Sequence, residues 1–150
     1  MAVNKDFVGR PIFFPDKFET YQVGREKIKE FARALGETDP IYFSSEHAKS
    51  LGYKDIVAPT TFLITMAMEA MNKILFDPEF NLDYSRIVHG EQGFRLHQPV
   101  VAGMDLSLNA ELESVVEKVG NEFLTFNVHF GELDGVVGSL RSVLIARGES

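Results

Sequence analysis

Residues Phe62 to Met68, inside the stretch APTTFLITMAMEAMNKILF, are apolar on nearly every side of a helix. No other feature constrains this chain as much, because a helix of that kind must be covered on most sides. In a chain of 150 residues, the length of one domain with a real core, it is expected to be the central helix. Polar character appears only from Glu69 onward. Glu69, Asn72 and Lys73 interrupt the run well before the roughly 18 apolar residues that would span a membrane. Thr60 or Thr61, directly after Pro59, is expected to cap the helix.

From Arg86 the pattern changes to period two. RIVHGEQGFRLH, MDLSLNAELESVVEKV, EFLTFNVHFGEL and GVVGSLRSVLIARG read as four strands. The alternations Leu106, Leu108, Ala110, Leu112 and Leu124, Phe126, Val128, Phe130 are clean. Gly120-Asn121 and Asp134-Gly135 supply turn residues between runs, and Pro99 and Gly103 mark the turn after the first long strand. A short strand is expected in ETYQV. Upstream, Ile28, Phe31, Ala32 and Leu35 fall at i, i+3, i+4, i+7, the apolar face of an amphipathic helix that Gly36 stops. SSEHAKSLG reads as a short helix capped by Ser44 or Ser45 and closed by Gly52. Helices first and strands afterwards predict an α+β domain, an antiparallel sheet wrapped around one helix.

Bulk properties narrow the function classes. A net charge of -7 with no basic cluster disfavours nucleic-acid binding. The absence of cysteine excludes disulfides and zinc-thiolate sites. An intracellular, cytoplasmic location is the expectation, since MAVNKDFVGRP lacks the apolar run of a signal peptide. His47, His89, His97 and His129 show no paired metal-ligand spacing, so no metal is expected. No Gly-x-Ser-x-Gly elbow or phosphate loop is present, so acyl-serine hydrolysis and nucleotide chemistry lack support.

Three segments in order carry a resemblance: VGREKIKEFARALGETDPIYF, LGYKDIVAPTTF and HGEQGFRLHQPVVAGMDL. Together they resemble the MaoC-like dehydratases of the hot-dog fold, especially the N-terminal MaoC, fungal fatty-acid-synthase-like branch. The resemblance covers nearly the whole chain and implies that residues 1–150 form a single MaoC-like hot-dog domain. It implies a component of a (3R)-3-hydroxyacyl-thioester dehydratase or enoyl-thioester hydratase, acting on acyl-CoA or acyl-carrier-protein thioesters with no cofactor. The assembly it implies is a homodimer, or a heterodimer with a second MaoC-like subunit, with sites at the subunit boundary. The alternative is a non-catalytic acyl-binding subunit beside an Asp/His-bearing partner. Hot-dog thioesterase chemistry is a third reading.

The resemblance also assigns candidate residues. The (R)-specific hydratase loop Gly-Asp-x-Asn-Pro-aliphatic-His aligns with Gly36, Glu37, Thr38, Asp39, Pro40, Ile41 and Tyr42, followed by Ala48. Glu37 and Tyr42 therefore occupy the places of the catalytic Asp and His. A carboxylate and a phenol can serve as base and acid if their surroundings bring their pKa values toward neutrality. As plain loop residues they would be a solvated acid and a packing aromatic. Asp39 is a candidate substrate contact and, before Pro40, equally a turn starter. Backbone N–H groups at Thr60 and Thr61 are expected to hold the thioester carbonyl, in the manner of a helix N-terminus. Pro59-Thr60 stands where the family often has His-Gly, and proline removes one donor. His89 is a candidate lining residue, a satisfied strand histidine being the simpler reading. Met66, Met68 and Met71 read as core, or as a pliable wall for an acyl chain.

Overall fold

The structure is a computed structural model that describes residues 2–133 and 135–149. Strands β1 (Ile12–Phe14) and β2 (Tyr21–Gln22) come first. Helices α1 (Arg25–Ala34), α2 (Ser45–Ser50) and α3 (Ile64–Leu75) follow. The four long strands close the chain: β3 (Ile87–Leu96), β4 (Asp105–Lys118), β5 (Asn121–Glu132) and β6 (Gly135–Ala146). The sheet runs β1-β4-β5-β6-β3, β2 also lies along β4, and every pairing is antiparallel. This is the α+β hot-dog arrangement, with α3 held against the inner face of the sheet near β1 and β4.

Each period-two run places its apolar set inward. Leu106, Leu108, Ala110 and Leu112 on β4 are buried, as are Leu124, Phe126, Val128 and Phe130 on β5. A bulge between Leu112 and Ser114 resets the alternation, so Val115 rather than Val116 sits across from Leu124. Met66, Ala67, Ala70, Met71, Ile74 and Leu75 of α3 join the same core, and Met68 is half-buried against it. The all-round apolarity of Phe62–Met68 is explained by this position. Strand β1 lies outside the expected runs, because three residues between Pro11 and Pro15 leave no period to read.

Helix ends follow local chemistry. Gly36 adopts φ +76°, and Gly36 and Glu37 donate to the carbonyls of Arg33 and Ala32 at 3.0 Å each. That is a Schellman motif, which needs a left-handed residue after the helix. Gly52, at φ +95°, closes α2 in the same way through Lys49 and Ala48. Ser44 is the α2 cap, accepting from the His47 N–H at 3.1 Å.

Three expectations need correction. Leu35 is 51% exposed, because it is the residue after α1 and the chain turns away from the core at Gly36. The β4–β5 turn is Val119-Gly120, one residue earlier than expected, with φ +50° and +74° and Lys118 paired to Asn121. Thr60 and Thr61 do not cap α3. The chain makes tight turns through residues 60–63 (Phe62 N–H to Pro59 O, 2.9 Å; Ile64 N–H to Thr61 O, 3.1 Å). The helix starts only at Ile64, with Leu63 before it and no side-chain cap. Of the Asp134-Gly135 turn, Asp134 lies outside the described residues. No described helix is long and apolar enough to cross a membrane.

Candidate active site

The loop Glu37–Tyr42 is built by the way α1 ends. The Schellman turn at Gly36 fixes the Glu37 backbone and leaves its side chain exposed, with no hydrogen-bond partner among the described residues. Asp39 then caps a 3₁₀ turn, Pro40–Tyr42, by accepting the Ile41 N–H at 2.9 Å. The Asp-Pro turn starter is thus present, and one Asp39 oxygen is committed to it. Tyr42 comes out of that turn half-buried.

Electrostatics sets the character of Tyr42. Burial first, then the carboxylates of Glu37 and Asp39, push its phenol above the ordinary tyrosine value. Both causes disfavour the phenolate, since it loses hydration and faces two like charges. At neutral pH Tyr42 is a protonated phenol, able to donate a hydrogen bond and poorly suited to give up its proton.

The loop is tied to the entrance of α3. Val57 N–H donates to Ile41 O at 3.1 Å, and Ala58 N–H to Val100 O at 2.7 Å. Ala102 N–H donates to Ile56 O at 3.0 Å, and Val57 bridges to Val101. The strip Ile56–Ala58 therefore lies between the loop and the turn before β4, and leads straight to Pro59, Thr60 and Thr61. Thr60 is exposed and Thr61 half-buried. Their N–H groups have no acceptor among the described residues. Two free donors at one turn suit a carbonyl oxygen that gains negative charge.

His89 lies elsewhere, on β3, across from Leu144 of β6. Paired residues share a sheet face, so His89 belongs to the face that carries α3, yet it is exposed at the open outer edge. Gln92, paired with Ser142, shares that face and exposure. A bulge between His89 and Glu91 breaks the spacing that would have related the two residues from sequence. The fold thus brings Glu37, Asp39 and Tyr42 together, joins them to Thr60 and Thr61 through Ile56–Ala58, and sets His89 on another strand.

Two clefts elsewhere do not coincide with these residues. One of about 600 Å³ lies among Val3, Arg86, Glu122 and Arg147, at the end of the sheet. Another of about 330 Å³ lies by Phe13 and Lys73, near β1. The second sits at the far end of α3, and neither is lined by Glu37, Asp39, Tyr42, Thr60 or Thr61. Among the described residues, no three His, Asp or Glu side chains gather where one metal ion could sit.

A residue that the sequence does not single out, Asp55, also belongs here. It receives Arg25 in a forked ion pair with Nη2 to Oδ2 at 2.6 Å, 30 residues away in the chain. No local signal links the two positions.

Comparison with known proteins places this geometry. Residues 6–136 match the family described as FAS1-like, dehydratase domain region, and the chain belongs to that family. A UPF0336 protein of Saccharopolyspora erythraea is 40% identical over 149 residues, covering 99% of this chain and 94% of the relative. The crystal structure of the C-terminally truncated HadBC (3R-hydroxyacyl-ACP dehydratase) complex from Mycobacterium tuberculosis is similar at TM-score 0.80 and 33% identity, covering 93% of this chain and 97% of that one. A MaoC-like dehydratase superposes at TM-score 0.82 and 32% identity over 95% of this chain, which spans 42% of that longer one.

Proposed function

We propose that this chain is the substrate-binding subunit of a (3R)-3-hydroxyacyl-thioester dehydratase, or enoyl-thioester hydratase, working beside a second MaoC-like chain. The observation that carries the reading is the state of the Glu37–Tyr42 loop. Asp39 and Pro40 set a 3₁₀ turn at the place that resembles the hydratase loop, while Tyr42 is a phenol held protonated by burial and by two carboxylates. Glu37 stands in solvent, with no partner among the described residues. Such a pair is a poor proton carrier near pH 7.

What the chain contributes is the other half of the reaction. The free N–H groups at Thr60 and Thr61 receive the thioester carbonyl and stabilise the charge that builds there. A carboxylate–imidazole pair on the partner removes the 2-proton and protonates the departing 3-hydroxyl, and water leaves across the 2,3 bond. The carrier is CoA or an acyl carrier protein. The partner adds along the outer edge of β3, which among the described strands pairs with β6 alone and points the other half of its N–H and C=O groups outward over ten residues. There His89 faces the shared site. The family membership and the HadBC likeness support this reading.

Hydration of crotonyl-CoA tests it. The isolated chain is expected to turn over slowly or not at all, and an Asp/His-bearing MaoC-like partner to raise the rate strongly. In the complex, Glu37→Gln and Tyr42→Phe are expected to change little. Fast turnover by the isolated wild type, abolished by either substitution, would show both residues to be catalytic and the reading wrong.

A further inference from the structure

We propose that Arg25 and Asp55 are positioning residues whose forked ion pair sets the spacing between the Thr60-Thr61 turn and the Pro40–Tyr42 loop. The inference rests on the reading of the site given above. It begins with a local misfit. Arg25 is the first residue of α1, after Gly24, which has no side chain to cap the helix. A cation at a helix N-terminus opposes the helix dipole, so neither the position nor the cap favours α1 by itself.

The compensation comes from a distant residue. Arg25 Nε donates to Asp55 Oδ1 at 3.0 Å and Oδ2 at 3.1 Å, and Nη2 to Oδ2 at 2.6 Å. A planar guanidinium meeting both carboxylate oxygens fixes direction as well as distance, which an ammonium cannot do. Asp55 Oδ1 also accepts the Ile56 N–H at 2.8 Å. Its side chain is 14% exposed, against 54% for Arg25. Lys49 is the other cation whose charge reaches Asp55, with no hydrogen bond to it. Among the described residues, the hydrogen bonds of this carboxylate go to Arg25 and Ile56.

An ion pair with one exposed partner contributes little to global stability. The location of its anchors gives this one a role. Arg25 opens the helix whose far end carries Glu37, and Asp55 opens the strip Ile56–Ala58. That strip holds Ile41 through Val57 on one side and delivers Pro59, Thr60 and Thr61 on the other. Releasing Asp55 frees the shared strut of both halves of the site. A displacement of about 1 Å at a reacting geometry can cost about 100-fold in rate.

Amide hydrogen exchange on the full isolated chain and hydration kinetics of the complex test this together. Arg25→Gln and Asp55→Asn are expected to speed exchange of the Tyr42, Val57 and Ala58 amides roughly tenfold or more, while the Phe126 and Val128 amides stay unchanged. Arg25→Lys keeps the charge without the fork and is expected to behave like Arg25→Gln. In the complex, kcat for crotonyl-CoA is expected to fall about 10- to 100-fold with KM moving less than about twofold. Exchange that rises equally across the sheet, or nowhere, overturns the proposal, as does an unchanged kcat in a folded variant. If the wild-type complex fails to hydrate crotonyl-CoA, the functional reading fails, and the exchange pattern still decides whether the pair is a strut.

Discussion

Grafting the missing acid–base pair onto the loop is the sharpest test of what the Glu37–Tyr42 segment still is. The perturbation is the double substitution Glu37→Asp and Tyr42→His. Four backbone restraints survive it: Glu37 N–H to Ala32 O at 3.0 Å, Tyr42 N–H to Asp39 O at 3.2 Å, Ser44 N–H to Pro40 O at 2.8 Å and Val57 N–H to Ile41 O at 3.1 Å. None involves either side chain, so the loop is expected to keep its path. Shortening Glu37 by one methylene withdraws the carboxylate by more than about 1 Å, a correction in position of the size that governs about 100-fold in rate. Replacing a phenol held above its usual pKa by an imidazole near 6.5 puts a proton carrier in working range, which general acid–base catalysis rewards by about 100-fold or more. The effects overlap, so the gain for the isolated chain is expected to exceed about 100-fold, with each single substitution well below the pair. The assay is loss of the enoyl-thioester absorbance of crotonyl-CoA, with thermal unfolding as the check on folding. A folded double variant that gains less than about tenfold would refute the view that this backbone is an intact hydratase loop.

Val119 is 99% exposed at φ +50°, where a β-branched residue is strained, so Val119→Asn is expected to stabilise by about 1 kcal/mol and raise Tm by roughly 3 °C. An unchanged or lower Tm argues against strain in that turn. Ser142 is fully buried on the core face and its hydroxyl has no partner among the described residues, so Ser142→Ala is expected to be neutral or to stabilise by about 1 kcal/mol, and a clear fall in the urea midpoint would reveal a hidden partner. The native chain holds the Tyr42 proton beyond the unfolded value of about 10, so its share of stability is intact below that pH and lost as pH rises through the raised value. Alkaline absorbance titration is expected to show one of the four tyrosines ionising late, and Tyr42→Phe to remove that phase; four tyrosines titrating together would contradict it.

The parts of this fold that sequence discloses are those written in short periods. The α3 core and the strands β4 to β6 repeat every few residues, and burial follows the repeat. The Gly36 and Gly52 stops are equally local, since only the residue's own φ decides them. Misreadings arise where geometry accumulates over a few residues. The turns through residues 60–63 delay α3 past both threonines, and one residue of register moves the hairpin tip to Val119. The identities of Glu37 and Tyr42 are legible, but the influence of two carboxylates on the phenol depends on how a 3₁₀ turn folds them together. The Arg25–Asp55 pair is invisible, because two surface-type residues 30 positions apart carry no pattern.

The two borders of the sheet are unequal. On the β4 side the last strands are β1 and β2, three and two residues long, with Pro11 and Pro15 flanking β1. On the other side β3 offers ten. A strand border of ten residues accepts a partner more readily than stubs of two and three. When two such chains join along β3, each uses the other's longest strand border, and what still faces outward is the short β1 and β2 and the end of β4 beyond Leu112. The same asymmetry would let a related chain with a matching long border take the place of a second copy.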